Sequence, residues 1–319
     1  MEQGLLFQNA KIKSRESTLF GKDRMQRLSD AANLDEAMKL LLEGGYPAGK
    51  DHLEMLAAAE KEAEEFFRAS AVQGYGLECF SVLSDYHNAK VAAKILFFGG
   101  AADCYKADGT FPPEELAEKI KKEEYGALPY EMGTVFTSLK KQSVTDGFTP
   151  SAIDRSLDRA AFLDIKNRLK KAHPVIRDYF VTYADLTNLE TAYRAKNALL
   201  SAEETRAAFL PLGEISEIDL LKIFSLGLEE GAEKILLKPA YRKAVSALKQ
   251  GIAAYEAFTE NALLAPLKKA RFDMFSPAAI IGFYLGKKRE IKNVRLILAG
   301  IKNGVDKEII TSRLRELYV

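Results

Sequence analysis

Apolar residues recur at spacings of three and four along much of the chain, which is the spacing of one face of an α-helix. Alternation of apolar and polar residues over the length of a strand is hard to find. Two clear helical series are Leu53, Leu56, Ala59, Ala63 and Phe66, and then Phe162, Ile165, Leu169 and Ala172. The pattern predicts an all-α protein built from long paired helices.

The longest series predicts one continuous helix over residues 241–264. Its apolar positions form a heptad-like seam on an otherwise polar surface. They are Tyr241, Val245, Leu248, Ile252 and Tyr255, and the pattern continues past Phe258. At ~1.5 Å per residue, a helix of this length would extend for ~36 Å.

Several helix ends carry the residues that usually cap them. Thr149-Pro150 and Ser276-Pro277 each place a hydroxyl before a proline, which predicts a capping side chain followed by proline at the first helical position. Asn33 precedes a helical run that ends at Gly44-Gly45, a typical C-terminal signal. We therefore expect helices to begin next to residues 33, 149 and 276.

Two stretches with Gly and Pro, residues 108–113 and 211–216, are the best candidate linkers. They divide the chain into three predicted domains, residues 1–108, 109–212 and 213–319. The net charges of these domains are −4, 0 and +5, although the whole chain carries only +1. This uneven charge is consistent with two faces that meet different partners, and equally with solvated helix faces.

The same division reveals a repeated pair of polar residues within helical stretches. An acidic residue stands three positions before an asparagine in each part, and the asparagines are 100 and 105 residues apart. Because residues at i and i+3 share a helix face and asparagine is a poor residue inside a helix, each amide is expected to have a partner. The three pairs are Asp85 and Asn88, Asp185 and Asn188, and Glu290 and Asn293.

The function of these pairs has two interpretations. We favour a structural one, in which they tie helices within or between repeats, and the alternative is direct contact with a partner protein. Three copies of one helical unit are compatible with a ring or funnel of pseudo-threefold symmetry, and also with a short solenoid.

Composition narrows the class of protein. A net charge of +1 over 319 residues excludes a protein that coats nucleic acid with positive charge. The longest apolar run, residues 278–286, is far shorter than the ~20 residues that span a bilayer, and the N-terminal apolar stretch is too short for a signal peptide. We expect a cytoplasmic protein that binds no nucleic acid and contacts a membrane only through a partner.

The sequence contains no motif of an active site. A Gly-x-x-x-x-Gly-Lys-Ser/Thr phosphate loop is absent, and so are the serine-hydrolase elbow and the His-Glu-x-x-His helix. Cys79, His87 and Cys104 are the nearest approach to a reactive set, but their spacing matches no zinc pattern. The acidic run over residues 60–65 is typical of an exposed helix face. We expect no catalytic residues, no cofactor, no metal and no small-molecule substrate.

Residues 276–304 read SPAAIIGFYLGKKREIKNVRLILAGIKNG, and the chain ends in Tyr318-Val319. This stretch closely resembles the C-terminal signature of the C subunit of archaeal and bacterial V-type (A-type) ATPases, whose eukaryotic V-ATPase counterpart is the d subunit. The stretches around Asn88 and around Asn188 with Arg194 resemble the first and second repeats of the same family. The resemblance covers nearly the whole chain and is most specific over residues 277–304.

The resemblance implies a non-catalytic rotor subunit. Members of the family are three similar helical domains that form a funnel, which sits on the membrane-embedded proteolipid ring and receives the tip of the central shaft. Such a rotor part transmits torque between the ATP-hydrolysing or ATP-making head and ion translocation. Outside the family, the residues are also compatible with a soluble helical-repeat adaptor, or with a helical enzyme whose site lies between domains.

The sequence departs from the family pattern at two positions. The residue before Pro277 and the residue after Lys287 are commonly acidic in the family, whereas here they are Ser276 and Lys288. Lys288, Lys292 and Arg295 consequently form a basic stripe on one helix face. We hypothesise that this stripe meets acidic groups on a neighbouring repeat, the shaft, or the ring and lipid surface; the alternative is a solvated lysine-rich face.

Overall fold

The computed structural model describes residues 2–100, 104–143, 149–236 and 238–319. The helices are α1 Glu2–Glu16, α2 Lys22–Ser29, α3 Leu34–Glu43, α4 His52–Ser70, α5 Glu78–Phe98, α6 Pro113–Lys121, α7 Tyr130–Ser143, α8 Pro150–Arg168, α9 Pro174–Asn197, α10 Ala202–Ala208, α11 Glu217–Leu226, α12 Leu228–Ile235, α13 Pro239–Gln250, α14 Ile252–Ala270, α15 Ala278–Lys302 and α16 Lys307–Ser312. Short 3₁₀ turns occur at Tyr125–Ala127 and Leu169–Lys171. No strand occurs in these ranges, so the all-α prediction is confirmed.

Two of the three predicted helix starts are confirmed in detail. Asn33 Oδ1 accepts a hydrogen bond from Glu36 N at 3.0 Å, and α3 then runs to Glu43. Thr149 Oγ1 accepts from Ala152 N at 3.3 Å, with Pro150 as the first residue of α8. The helix α15 begins one residue later than predicted, at Ala278, whose N–H donates to Ser276 Oγ at 3.2 Å.

The prediction of one helix over residues 241–264 is wrong. Gly251 separates α13 from α14 and has a φ of +114°, a backbone conformation that an α-helix cannot contain. The apolar spacing continues across the break because both helices bury an apolar face. Val245 and Leu248 are buried in α13, before Gly251, and Tyr255 is buried in α14, after it. Apolar periodicity alone therefore did not reveal the helix end that Gly251 marks.

The helices form two compact units, one of residues 1–73 and 260–319 and the other of residues 74–259. In the first unit, α15 packs against α4 and α1, and its apolar face carries the buried residues Ile291, Val294 and Ile297. In the second unit, α5 packs against α8 and α6, and α9 packs against α11 and α13. The division into three domains at residues 108 and 212 stays a prediction.

Within the described ranges, the structure contains no helix that is both long enough and apolar enough to cross a bilayer. The apolar N-terminal half of α15 is instead covered by protein: Ile280, Ile281 and Phe283 are all buried.

Candidate functional site

The three asparagines of the repeated pairs make the same contact. Each lies buried in the middle of a long helix, and its side-chain amide bonds to both backbone groups of one later residue. The three contacts are Asn88–Lys106, Asn188–Leu210 and Asn293–Arg315. In this order, Nδ2 donates to the carbonyl oxygen at 2.8, 3.1 and 2.9 Å. Oδ1 accepts from the N–H of the same residue at 2.8, 2.7 and 2.9 Å. This bidentate contact satisfies an amide that would otherwise be costly inside a helix.

The acidic residue of each pair holds a second backbone segment. Asp85 Oδ1 accepts from Phe111 N at 3.0 Å, and the two oxygens of Asp185 accept from Glu214 N and Ile215 N, each at 3.0 Å. Glu290 Oε2 accepts from Phe20 N at 2.6 Å. Each repeat helix thereby fixes two stretches of non-helical chain on one face.

In the first two pairs, the residues bound by the asparagine and by the acid have the same spacing in sequence, and the third pair departs from it. Lys106 and Phe111 are five residues apart, as are Leu210 and Ile215. In the third pair the acid meets Phe20, which lies 270 residues before Glu290 in the chain. The segment before α2 therefore takes the same place beside α15 that the segment before α6 takes beside α5. The segment before α11 takes this place beside α9.

Two tyrosines support this equivalence. Tyr241 lies 26 residues after Ile215, and its hydroxyl donates to Asp185 Oδ2 at 2.5 Å. Tyr46 lies 26 residues after Phe20, and its hydroxyl donates to Glu290 Oε1 at 2.7 Å. The corresponding residue after Phe111 is Thr137, whose hydroxyl donates to Gly133 O instead. This matched offset is the sequence signal that could have identified the N-terminal segment as the partner of Glu290.

Glycines allow two of the segments to approach the acids closely. A Cβ at Gly109 or at Gly213 would overlap Oδ1 of Asp85 or of Asp185. The equivalent position before Phe20 is Thr18, and the acid there is a glutamate. Glutamate is one methylene longer than aspartate, so the third pair has the longer acid where the facing segment carries a β-carbon.

Burial dominates the electrostatics of these carboxyl groups. It raises the pKa of Asp85 and of Asp185 above the ordinary value. The Tyr241 hydroxyl, which donates to Asp185, and the backbone N–H donors at both sites oppose that shift. Burial, together with the neighbouring Asp185 carboxylate, likewise raises the pKa of Tyr241, and Tyr46 behaves in the same way beside Glu290. Glu290 additionally pairs with Lys287 at 2.6 Å. Hydrogen bonds hold these groups in place, and their arrangement fixes backbone segments to the repeat helices.

The basic stripe on α15 meets acids within its own unit. Lys288 Nζ lies 3.4 Å from Glu64 Oε1, and Arg295 lies 2.9 Å from Glu60 Oε1, both on α4. Lys292 pairs with Glu260, which also lies 3.2 Å from Arg315. The acidic run on α4 is consequently divided, since Glu60 and Glu64 face α15 whereas Glu62 and Glu65 are exposed. Contact between the basic stripe and acidic groups of a partner stays a prediction.

The three residues considered as a reactive set do not assemble one. Cys79 is buried, and that burial raises its pKa to about 12, which keeps it a neutral thiol. Cys104 is exposed, and its carbonyl oxygen lies 2.9 Å from His87 Nε2. Among the residues that the structure describes, no three His, Cys, Asp or Glu side chains are grouped to hold a metal ion.

Comparison with known proteins points to one family. The family model described as "ATP synthase (C/AC39) subunit" matches residues 8–313. The C subunit of the V-type sodium ATPase of Enterococcus hirae is 23% identical to this chain over 97% of it and 98% of the relative. The C subunit of the A-type ATP synthase of Methanocaldococcus jannaschii is 24% identical, over 97% and 86%, and that of Thermococcus kodakarensis is 23% identical, over 98% and 90%.

Proposed function

Because the chain belongs to the ATP synthase (C/AC39) subunit family, we propose that it is the central-stalk subunit that links the shaft of a rotary ATPase to its membrane proteolipid ring. It is a non-catalytic subunit of that complex. In the proposed role it turns with the shaft and couples ATP hydrolysis or synthesis in the head to ion translocation in the membrane.

The match of the family model over residues 8–313 carries this proposal. The curated relatives support membership of a rotary ATPase along nearly their whole lengths, since their names describe the C subunit of a V-type sodium ATPase and of A-type ATP synthases. The resemblance over residues 277–304, which lie within that match, points to the same family.

The proposal includes three similar helical domains, residues 1–108, 109–212 and 213–319, arranged as a pseudo-threefold funnel. Support comes from the three asparagine contacts, which repeat the same two hydrogen bonds in α5, α9 and α15. A part that transmits torque must resist twisting, and bidentate ties between each long helix and its following loop stiffen the body in that sense. We place the protein in the cytoplasm, peripheral to the membrane, with membrane contact through the ring.

The basic stripe is part of the proposed interface with the shaft or ring. Lys292 and Arg295 keep about half of their side chains exposed while they pair with Glu260 and Glu60. Their cationic heads can therefore exchange an internal acid for an acid on a partner at small cost, because exposed ion pairs contribute little stability.

The test is to solubilise membranes of the source organism, capture a tagged copy of this chain and identify the proteins that accompany it. We expect proteolipid and shaft subunits together with the ATP-hydrolysing head. Deletion of the chain should leave ATP hydrolysis by the head but abolish ATP-driven ion pumping in vesicles, and re-expression of the chain should restore it. Capture of soluble partners without proteolipid or shaft subunits would show an adaptor instead.

A further inference from the structure

The turn between α14 and α15 presents two exposed aromatic side chains. Phe272 is 68% exposed and Phe275 is 64% exposed. In the described part of the chain, no other two exposed aromatic side chains lie within four residues of each other. Single exposed apolar residues are ordinary on a protein surface, whereas neighbouring ones form the kind of patch that marks a contact with a partner or a membrane.

Hydrogen bonds fix this turn to α1. Asn9 is fully buried in α1, and its Nδ2 donates to Met274 O at 2.8 Å and to Ser276 O at 3.0 Å. Within the turn, Asp273 Oδ1 accepts from Phe275 N at 2.9 Å. A defined backbone therefore carries both phenylalanines, so their exposure belongs to the folded state.

Cations lie directly beside the aromatic rings. Lys13 Nζ is 4.2 Å from the centroid of the Phe272 ring, and the guanidinium carbon of Arg271 is 4.7 Å from the same centroid. Lys269 is exposed at the end of α14, two residues before Arg271. The turn thus combines apolar rings with positive charge on one surface.

The segments packed around the turn are basic as well. Lys268 Nζ donates to Leu317 O at 2.7 Å, which places the segment after α16 beside the end of α14. Residues 9–16, 268–276 and 313–319 together contain eight basic and three acidic side chains. Of the acids, Glu16 pairs with Lys13 at 2.8 Å, and the other two are Asp273 and Glu316. The surroundings of the two phenylalanines therefore favour a negatively charged partner.

We infer that this turn is a contact site for an anionic phospholipid membrane. Phenylalanine side chains on a basic surface are the combination with which peripheral proteins enter the boundary between lipid headgroups and acyl chains. The rings leave water there, while lysine and arginine side chains are attracted to the anionic headgroups. The inference rests on the proposed location beside the membrane, and it adds direct contact with lipid to contact through the proteolipid ring.

The composition of the site favours lipid over a protein partner. Lysine is depleted from protein–protein interfaces, whereas three lysines, Lys13, Lys268 and Lys269, accompany the two aromatic rings here. In a symmetric contact between two copies of this chain, the patch would face itself and its cations would oppose cations. A phospholipid surface instead places negative charge next to an apolar layer, which complements both features of the site.

The first experiment measures flotation of the full chain with vesicles. Wild type should bind vesicles of phosphatidylcholine with phosphatidylglycerol and not vesicles of phosphatidylcholine alone, and salt at about 0.5 M should weaken the binding. A double variant, Phe272→Ser with Phe275→Ser, and the single variant Lys269→Glu should each bind about tenfold more weakly. Since these side chains are exposed, each variant should melt within about 2 °C of wild type.

The matched controls change equally exposed residues of the other unit. Tyr130→Ser removes an aromatic side chain that is 82% exposed, and Lys121→Glu reverses the charge of an exposed lysine at the end of α6. Both should bind the anionic vesicles as wild type does. Equal binding by all the variants, equal binding to both kinds of vesicle, or no binding by the folded wild-type chain would overturn the lipid contact.

The second experiment identifies the occupant in the assembled complex. A photoreactive benzophenone amino acid replaces Phe275, membranes are irradiated, and the mass added to the chain is measured. A phospholipid adduct that is absent when Tyr130 is replaced in the same way would support the contact. An adduct with another protein or with a second copy would overturn the choice of lipid.

The two proposals can fail separately. Co-purification with proteolipid and shaft subunits, with neither vesicle binding nor a lipid adduct, would overturn the lipid contact and leave the proposed function intact. Vesicle binding that depends on Phe272 and Phe275, without co-purification of those subunits, would support the lipid contact and overturn the proposed function.

Discussion

Glu290 and Phe20 are 270 residues apart in the chain, yet the backbone N–H of Phe20 donates to Glu290 Oε2 at 2.6 Å. The contact is buried, and Tyr46 and Lys287 complete the environment of the carboxylate. It attaches the segment that precedes α2 to the middle of α15. Several consequences of this contact and its counterparts can be measured.

Replacing Glu290 with Ala should loosen the N-terminal segment. The change removes the acceptor of Phe20 N and of the Tyr46 hydroxyl, and it leaves both donors buried without that partner. Amide hydrogen exchange over residues 18–46 should accelerate about tenfold, while exchange in α9 stays unchanged. Glu308→Ala, at an exposed site, is the control. Equal acceleration in both regions would indicate general destabilisation and contradict a local attachment.

Replacing Asn188 with Ala should destabilise the protein by about 2–4 kcal/mol, because the N–H and C=O of the buried Leu210 both lose their partner. Urea titration measures the loss. Asn197→Ala lies at the exposed end of the same helix and should change the free energy of unfolding by less than about 0.5 kcal/mol. Similar losses in the two variants would show that the bidentate contact contributes little.

Replacing Gly213 with Ala should cost more than replacing Gly251 with Ala. Both glycines have a positive φ, +138° and +114°, so both variants suffer backbone strain of about 1–3 kcal/mol. Only the Cβ at residue 213 would also displace the Asp185 carboxylate, since Gly251 faces open space. We expect the difference in the free energy of unfolding to exceed about 1 kcal/mol. Equal costs would mean that the segment can shift away from the acid freely.

Burial of Asp185 should appear in the pH dependence of stability. Its pKa is raised in the folded protein above the ordinary 3.8, so the unfolded chain releases this proton first as the pH rises. Between these two pKa values the native state binds more protons than the unfolded state, and stability falls with rising pH. The free energy of unfolding of wild type minus that of Asp185→Asn should therefore decrease from about pH 4 upward and level off above the folded pKa. An increase would contradict the burial argument.

The Arg295–Glu60 ion pair should contribute weakly and in a salt-dependent way. Both side chains are more than a third exposed, so a double-mutant cycle with Arg295→Ala and Glu60→Ala should give a coupling below about 1 kcal/mol that shrinks in 0.5 M salt. Stability of the isolated chain is the readout. A coupling that is larger and insensitive to salt would mean that the pair is effectively shielded from solvent, and would weaken the case for exchange with a partner.

Local features of the sequence predicted much of the secondary structure. Asn33 and Thr149 cap their helices as expected, because a cap involves atoms only three residues apart. The repeated acid–asparagine spacing was visible for the same reason, since both side chains belong to one helix turn. The break at Gly251 was missed because apolar spacing continues on both sides of it.

The sequence by itself determined the all-α class, the positions of three equivalent polar pairs and the family. Only the tertiary structure decided what those pairs hold: Asn293 binds Arg315, whereas Glu290 binds Phe20 from the other end of the chain. It alone revealed that Leu199 adopts a glycine conformation with its side chain in solvent. The physical reason is distance along the chain. Helix periodicity is a local property of the backbone. Packing between residues far apart in sequence instead determines which segment forms hydrogen bonds with a buried carboxylate or amide.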